Sequence, residues 1–181
     1  MIHLDESAQR ELLSIARKSL ESYLATGRIP DIHPDRPELH QAAGAFVSLH
    51  HGNELRGCIG RISPDDPLCL TVQQCAVSAA VEDYRFDQVT APELSELTIE
   101  ISVLSPMEPN RDVADVTVGR HGLYMVRGHR RGLLLPQVAA DEGWDRETFL
   151  TQTCHKAGLP GDAWRDSATT IYTFEAQVFS E

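Results

Sequence analysis

A short turn at Gly52 and Asn53 is the feature that most limits how this chain can fold. Apolar and polar residues alternate on both sides of the turn, over 45–50 and 54–62, which is the pattern of two strands. A Gly-Asn connection between two such segments favours a hairpin, and strands joined by a hairpin pair antiparallel. We therefore expect a sheet with antiparallel pairing.

Helical and strand patterns interleave irregularly along the rest of the chain. Apolar residues at three- and four-residue steps predict three helices: 7–25, 68–83 with Asp66 as its cap, and 145–157. Alternation predicts strands over 97–104 and 169–179, and a second hairpin formed by 122–127 and 132–135 around 128–131. Hairpins outnumber parallel crossovers, so the predicted class is α+β, with a mixed, mostly antiparallel sheet flanked by helices.

Composition limits the partners and the location of the protein. Its 181 residues suit a single domain over 1–181, and 16 basic against 27 acidic residues give a net charge of −11. An acidic surface repels phosphate backbones and anionic lipids, so we expect neither general nucleic-acid binding nor membrane binding. No apolar run approaches the roughly 20 residues that span a bilayer. The N-terminus lacks a secretory pattern and the cysteines form no C-x-x-C pair, which predicts a cytoplasmic protein.

The segment Leu55-Arg56-Gly57-Cys58-Ile59-Gly60 is the part of the chain best suited to chemistry. Alternation places Arg56, Cys58 and Gly60 on one face of the strand, with about 6.5 Å between residues two apart. A guanidinium at that distance favours a thiolate, and the glycine would leave an open depression beside the sulfur. Cys58 is therefore a candidate nucleophile.

The competing interpretation is a buried and inert cysteine, and the register of the hairpin separates the two. A two-residue turn pairs Cys58 with Val47, among apolar neighbours. A three-residue turn pairs Cys58 with Phe46 and places Ser48 opposite Arg56, which gives a half-polar pocket. The sequence alone leaves both registers open.

Ordered blocks along the chain resemble the AMMECR domain family, called AmmeMemoRadiSam system protein A in prokaryotes. The hexapeptide at 55–60 looks like the signature of that family. Further similar blocks follow in order: Asp-Tyr-Arg-Phe at 83–86, Glu-Ile-Ser-Val-Leu-Ser at 100–105, Gly-Leu-Leu-Leu-Pro-Gln at 132–137, Trp-Asp at 144–145, Phe-Leu at 149–150, Cys154, and Lys-Ala-Gly-Leu at 156–159. The resemblance covers nearly the whole chain, from the first helix to the last strand.

The resemblance implies an α+β domain with a larger and a smaller lobe. It also implies a genomic association with a Memo-like protein and a radical S-adenosylmethionine protein, which makes both of them expected partners. It supplies no established reaction, because cysteine-dependent catalysis and partner binding are both proposed for the family in general terms. We assign no cofactor.

Three basic residues match the family blocks: Arg56, Arg85 and Lys156. If the fold brings them close to Cys58, they form a local positive patch that can hold a carboxylate or phosphate, so a small anionic ligand is an expected partner. The alternative is that Arg85, after a helix end, and Lys156, in a last helical turn, only oppose a helix dipole.

Glu100 and His155 are the candidate acid or base groups. Glu100 lies in the middle of an apolar strand, where it is either a base or orienter in a polar pocket or part of a solvated strand face. His155 departs from the family pattern, in which we expect an acidic residue more often. His50 and His51 lack a third ligand at a recognisable spacing, so no metal site is expected.

Two functions are compatible with these residues. In the first, a small cysteine-dependent enzyme uses Cys58, Glu100 and His155 as catalytic residues and Arg56, Arg85 and Lys156 to bind its substrate. In the second, a non-catalytic binding or scaffold module holds its partners, with contact residues or fold anchors at Arg85, Phe86, Trp144 and Lys156. The hairpin tip around His129, with Arg127, Arg130 and Arg131, is predicted to be a solvated turn or a contact point.

Overall fold

The structure is a computed structural model that describes residues 3–63 and 65–181. Among these residues there are four α-helices: α1 Glu6–Thr26, α2 Leu68–Val81, α3 Pro136–Asp141 and α4 Arg146–Lys156. The same residues form eight strands: β1 Ala45–His51, β2 Glu54–Arg61, β3 Leu97–Leu104, β4 Glu108–Pro109, β5 Gly122–Arg127, β6 Arg130–Leu134, β7 Thr170–Phe174 and β8 Ala176–Ser180.

The strands form two four-stranded sheets. The order in the first sheet is β2-β1-β3-β8, and β1 pairs antiparallel with both β2 and β3. The order in the second sheet is β4-β7-β5-β6, with antiparallel pairing throughout. The predicted α+β class is confirmed, with the strands divided between two sheets.

The chain divides into two compact units, Met1–Leu104 with Gln177–Glu181, and Ser105–Ala176. They correspond to the larger and smaller lobes that the family resemblance implies. The last strand was predicted as one element over 169–179, and this is wrong. It breaks at Glu175 into β7, which joins the second sheet, and β8, which joins the first.

In the first unit, α1 and α2 cover one face of the first sheet. The Asp5 carboxylate caps α1 by accepting a hydrogen bond from the backbone N–H of Ala8, and Gly27, at φ +72°, ends it. The covered face is built from apolar residues that solvent does not reach: Ala45, Val47, Leu49, Ile99, Ile101 and Val103. These residues alternate with others, so the side chains between them point to the opposite face.

The start of α2 differs from the prediction. Pro67 occupies the N-cap position, and no side chain caps the helix. Asp66 was the predicted cap, but its carboxylate instead accepts a hydrogen bond from Arg61 Nη1 at 2.9 Å. Farther along, α2 lies so close to β2 that a Cβ at Gly57 would stand 2.1 Å from the carbonyl oxygen of Ala79. Glycine at position 57 therefore allows the close approach of helix and strand.

In the second unit, α4 packs on β5 and β6. Asp145 caps α4 through the N–H of Thr148, and Phe149, Leu150 and Cys154 are buried in the core of the unit. The sequence pattern missed β4 and α3, which have only two and six residues. The second hairpin turns at 128–129 and not over 128–131, because β6 already begins at Arg130.

Candidate functional site

An extra residue in β2 decides which face of the hairpin the hexapeptide presents. His51 pairs with Glu54 across a two-residue turn, but farther from the turn Leu49 pairs with Gly57. Arg56 is the residue left over, so β2 contains a β-bulge at this point. The bulge shifts the register of the remaining strand by one residue.

The bulge gives Cys58 a partner that neither predicted register contains. Cys58 pairs with Ser48, so the pairings with Val47 and with Phe46 are both wrong. The Ser48 hydroxyl donates a hydrogen bond to the Cys58 sulfur at 3.2 Å. Cys58 therefore lies on the face of the sheet opposite α1 and α2, beside a polar neighbour.

The next strand extends this polar contact across the sheet. Ser48 pairs with Cys58 on one side and with Glu100 of β3 on the other, which gives a Cys58–Ser48–Glu100 row across three strands. Ser48 is buried, while Cys58 and Glu100 are half-buried. Cβ atoms of directly paired residues lie about 4.5–5.5 Å apart, so Ser48 is adjacent to both the thiol and the carboxylate.

Gly60 does not open a depression beside the sulfur. Gly60 pairs with Phe46, and a Cβ at position 60 would stand 2.2 Å from the ring of that phenylalanine. The ring occupies the space that the missing side chain leaves. The expectation of an open depression there is wrong, and glycine serves instead to accommodate Phe46.

Burial controls the protonation of Cys58. The half-buried position raises the pKa of the thiol, and the negative charges of Asp83 and Glu100 raise it further. The Ser48 hydrogen bond and the Arg85 guanidinium lower the pKa, but they do not outweigh burial. The expectation that a neighbouring guanidinium holds Cys58 as a thiolate is therefore wrong. Cys58 is a protonated thiol at neutral pH.

The side chains of Asp83 and Arg85 close the outer edge of β2 at Cys58. The backbone N–H of Cys58 donates to the Asp83 carboxylate at 2.9 Å, and Arg85 Nη2 donates to the Cys58 carbonyl at 3.3 Å. Arg85 also donates to both carboxylate oxygens of Asp83, at 2.9 and 2.6 Å. These bonds lower the pKa of the nearly buried Asp83 to about 2. We call this pair the Asp83–Arg85 clip.

Arg56 lies beside the site, but its guanidinium is directed to the loop after α2. Its Nε donates to Glu93 at 2.6 Å, and its Nη1 donates to the carbonyl of Asp87 at 2.8 Å. The hydrogen bond from Arg56 lowers the pKa of Glu93. Through these contacts the Arg56 side chain, at the bulge, ties β2 to that loop.

Comparison with known proteins places this arrangement in a family. A model of the AMMECR1 family matches residues 13–179. The chain belongs to the AMMECR1 family. Its relatives include a protein of Thermococcus gammatolerans, 45% identical over 94% of this chain and 88% of its own, and protein PF1979 of Pyrococcus furiosus, 44% identical over 94% and 86%. The crystal structure of uncharacterized protein PH0010 from Pyrococcus horikoshii superposes with a TM-score of 0.91 at 42% identity, covering 94% and 90% of the two chains.

The first unit of this AMMECR1-family chain assembles four of the six predicted site residues. Cys58 and Glu100 share the polar row, Arg85 binds the backbone of Cys58, and Arg56 holds the adjoining loop. The other two, His155 and Lys156, belong to the second unit and are exposed in the last turn of α4. The roles of all six remain predictions.

Sequence reasoning gave no role in the site to three residues that the structure places there. Ser48 was expected opposite Arg56 in one of the two registers, and only the bulge makes it the partner of Cys58, while Asp83 was noted only as part of a family block. The third is His50, whose buried Nε2 has no hydrogen-bond partner in the part of the chain that the structure describes. Alternation puts His50 on the same face of β1 as Ser48, which is the signal that could have identified it.

Two further observations on this AMMECR1-family chain concern groups of metal ligands and long apolar helices. Within residues 3–63 and 65–181, no group of three or more His, Cys, Asp or Glu side chains is placed to hold a metal ion. In the same residues, no helix is long and apolar enough to cross a membrane.

Proposed function

We propose that this AMMECR1-family protein is a small cysteine-dependent enzyme with Cys58 as its nucleophile and Glu100 as its base. The observation that carries the proposal is the Cys58–Ser48–Glu100 row across β2, β1 and β3. A thiol, a hydroxyl and a carboxylate on one sheet face supply a nucleophile, a proton path and a proton acceptor.

The raised pKa of Cys58 makes the base necessary, because little thiolate exists at rest. In an acyl transfer, Sγ bonds to the carbonyl carbon while the thiol proton passes to the Ser48 oxygen and the Ser48 proton passes to Glu100. For this step the Ser48 hydroxyl, which donates to Sγ at rest, turns towards the carboxylate. The leaving group then departs with that proton, so the products are a thioester on Cys58 and the protonated leaving group. His155, the other acid or base candidate from the sequence, belongs to the second unit, and this step does not use it.

The predicted basic residues of the first unit bind the substrate in this proposal. Of the three predicted basic residues, Arg85 is the one whose charge lowers the pKa of the Cys58 thiol. Its side chain is 39% exposed. We assign Arg85 and Arg56 to an anionic group of the substrate, whereas Lys156 belongs to the second unit and is given no part in this site. The small anionic ligand expected from the sequence is such a substrate.

An acylation assay with p-nitrophenyl acetate tests the proposal. The expected result is release of nitrophenolate and one acetyl group on Cys58 of the wild-type protein, located by mass spectrometry of peptides. Cys58→Ser should abolish the modification, and Glu100→Gln should slow it about 10²-fold or more, as loss of a general base does. Equal acylation rates in wild type and Glu100→Gln would refute the assignment of the base.

The second candidate is a non-catalytic binding or scaffold module. The observation in its favour is that the charges of Arg56 and Arg85 are already paired with Glu93 and Asp83. In this alternative Arg85, whose guanidinium lies over the Phe86 ring at 5.4 Å, is a contact residue or fold anchor. Trp144, which packs on the core of the second unit, has the same role, as does Lys156.

Acylation, measured together with co-purification, separates the two candidates. The expected partners, from the family resemblance, are a Memo-like protein and a radical S-adenosylmethionine protein. We propose that they meet in the cytoplasm, a reducing compartment in which four free cysteines stay reduced. If the protein is a scaffold, Cys58→Ser keeps its partners, and neither the wild type nor the variant is acylated. An enzyme loses acylation in the same variant, whether or not a complex forms.

A further inference from the structure

A depression in the second unit opens at the tip of the β5–β6 hairpin. Its volume is about 470 Å³, and its lining residues are Arg127, His129, Arg130, Leu159 and Pro160. Three of these side chains are basic, in a protein whose net charge is −11. The two others come from the loop after α4 and are apolar.

The two arginines of the depression face each other across the hairpin. Arg127 and Arg130 are direct cross-strand partners, an arrangement in which like charges destabilise a sheet. Asp166 lies 2.8 Å from Arg127 and is the carboxylate that pairs with it. Arg130 donates to the neutral carbonyl of Gly158. Among the residues that the structure describes, one carboxylate pairs with these two guanidinium groups, which leaves an excess positive charge at this point.

These contacts also hold both guanidinium groups in place without using all of their donors. Each guanidinium has five N–H donors, and the contacts with Asp166 and with the Gly158 carbonyl use few of them. His129 is exposed at the turn between the arginines and adds an imidazole. Leu159 and Pro160 provide an aliphatic wall on the side of the α4 loop.

We infer that this depression binds an organic phosphate, with the phosphate group on Arg127, Arg130 and His129 and its organic body against Leu159 and Pro160. A carboxylate is satisfied by one guanidinium, whereas the several oxygens of a phosphate suit two guanidinium groups and an imidazole. The ligand neutralises the like-charge pair of the hairpin. This inference does not depend on the chemistry of Cys58, because every lining residue belongs to the second unit.

Phenyl phosphate is a suitable probe, because it joins a phosphate to a small apolar ring. In a titration followed by ¹H–¹⁵N NMR of the full chain, we expect saturable shifts in the backbone amides of 127–130 and 158–159. Inorganic phosphate should bind more weakly, since it lacks the apolar body. Benzoate should also bind more weakly, since it offers a single carboxylate. Equal binding of benzoate, or no saturable shift at these residues, would overturn the inference.

Arg131 provides a matched control on the same hairpin. It is paired with Val126, and alternation directs it to the sheet face opposite Arg130. Arg130→Ala should weaken phenyl phosphate binding by about tenfold or more, as loss of a charge-assisted contact does, and Arg131→Ala by less than about twofold. His129→Ala changes an exposed turn residue and should weaken binding in a folded protein. Equal losses in Arg130→Ala and Arg131→Ala would indicate only general attraction of anions and would contradict a built site.

Discussion

At Cys58, burial and the charges of Asp83 and Glu100 raise the pKa of the thiol, while the Ser48 hydrogen bond and the charge of Arg85 lower it. Burial raises the pKa of the thiol, and the guanidinium that lowers it belongs to Arg85, which is itself neutralised by Asp83. The residue that the sequence singled out as the activating cation, Arg56, is bound to Glu93. A basic residue two positions from a cysteine therefore did not predict a thiolate, because burial and the partners of both arginines are set by the fold.

The first prediction concerns the hydroxyl next to the thiol. Ser48→Ala removes the hydrogen bond to Sγ, which lowers the pKa of Cys58, so the pKa should rise further and alkylation by iodoacetamide at pH 8 should slow. The loss of a buried hydrogen bond should also reduce the free energy of unfolding by about 1 kcal/mol. Peptide mass spectrometry and urea denaturation measure the two effects. Ser95→Ala, at an exposed serine, is the control, and faster alkylation of Ser48→Ala would contradict the prediction.

The second prediction concerns the Asp83–Arg85 clip. The pKa of Asp83 is lowered from 3.8 to about 2 in the folded protein, so the group stabilises the fold above pH 4 and this contribution disappears as the pH falls through about 2. The shift corresponds to about 2 kcal/mol. The stability of the wild type relative to Asp83→Asn should therefore shrink by about that amount between pH 6 and pH 2.

Urea denaturation at the two pH values measures this difference. Asp66→Asn is the matched control, because Asp66 pairs with Arg61 at a more exposed site, where an ion pair contributes at most about 1 kcal/mol. A stability difference between wild type and Asp83→Asn that does not change with pH would contradict the role given to the clip.

At the scale of elements, the hairpin shows which features a sequence pattern predicts and which it does not. The Gly-Asn turn and the alternation located β1 and β2 to within one residue at each end. The bulge was not predicted. Its position depends on which face of β2 the fold buries against α2 and β3, and the pattern within β2 does not contain that information. The bulge at Arg56 alone changes the partner of Cys58 from Val47, as a two-residue turn predicts, to Ser48.

The third prediction tests the contact between β2 and α2. Gly57→Ala places a Cβ against the backbone of Ala79, which cannot move as a flexible side chain can. We expect a loss of about 3 kcal/mol in the free energy of unfolding. Gly52→Ala is the control, because Gly52 has open space around it and only its φ of +59° is unfavourable, at about 1 kcal/mol. Equal losses in the two variants would contradict the close packing.

At the scale of the whole molecule, the sequence indicated the α+β class and the order of most elements, but not how the strands divide. The segment predicted as one strand over 169–179 serves two sheets, with β7 in one and β8 in the other. Its alternation continues through Glu175, so nothing local marks the break. The division depends on pairing with strands far away in sequence, which a pattern of period two does not encode.

The fourth prediction concerns the thiols of the whole chain. Cys69, Cys75 and Cys154 are buried, and Cys58 is the half-buried one. The native protein should therefore react with one equivalent of a thiol reagent, at Cys58, and with four after unfolding. Counting modified cysteines by intact mass in native buffer and in guanidinium measures this. Modification of Cys69, Cys75 or Cys154 before Cys58 would contradict the burial of those three thiols.

The dependence of Cys58 alkylation on pH, compared between wild type and Glu100→Gln, tests the proposed row most directly. The negative charge of Glu100 raises the pKa of Cys58, so the variant should titrate at a lower pH than the wild type. In the wild type the midpoint should lie above that of an exposed cysteine thiol, because burial raises the pKa of Cys58. Identical profiles in the two proteins, or a wild-type midpoint below that of an exposed cysteine thiol, would contradict a protonated thiol that shares the sheet face with its base.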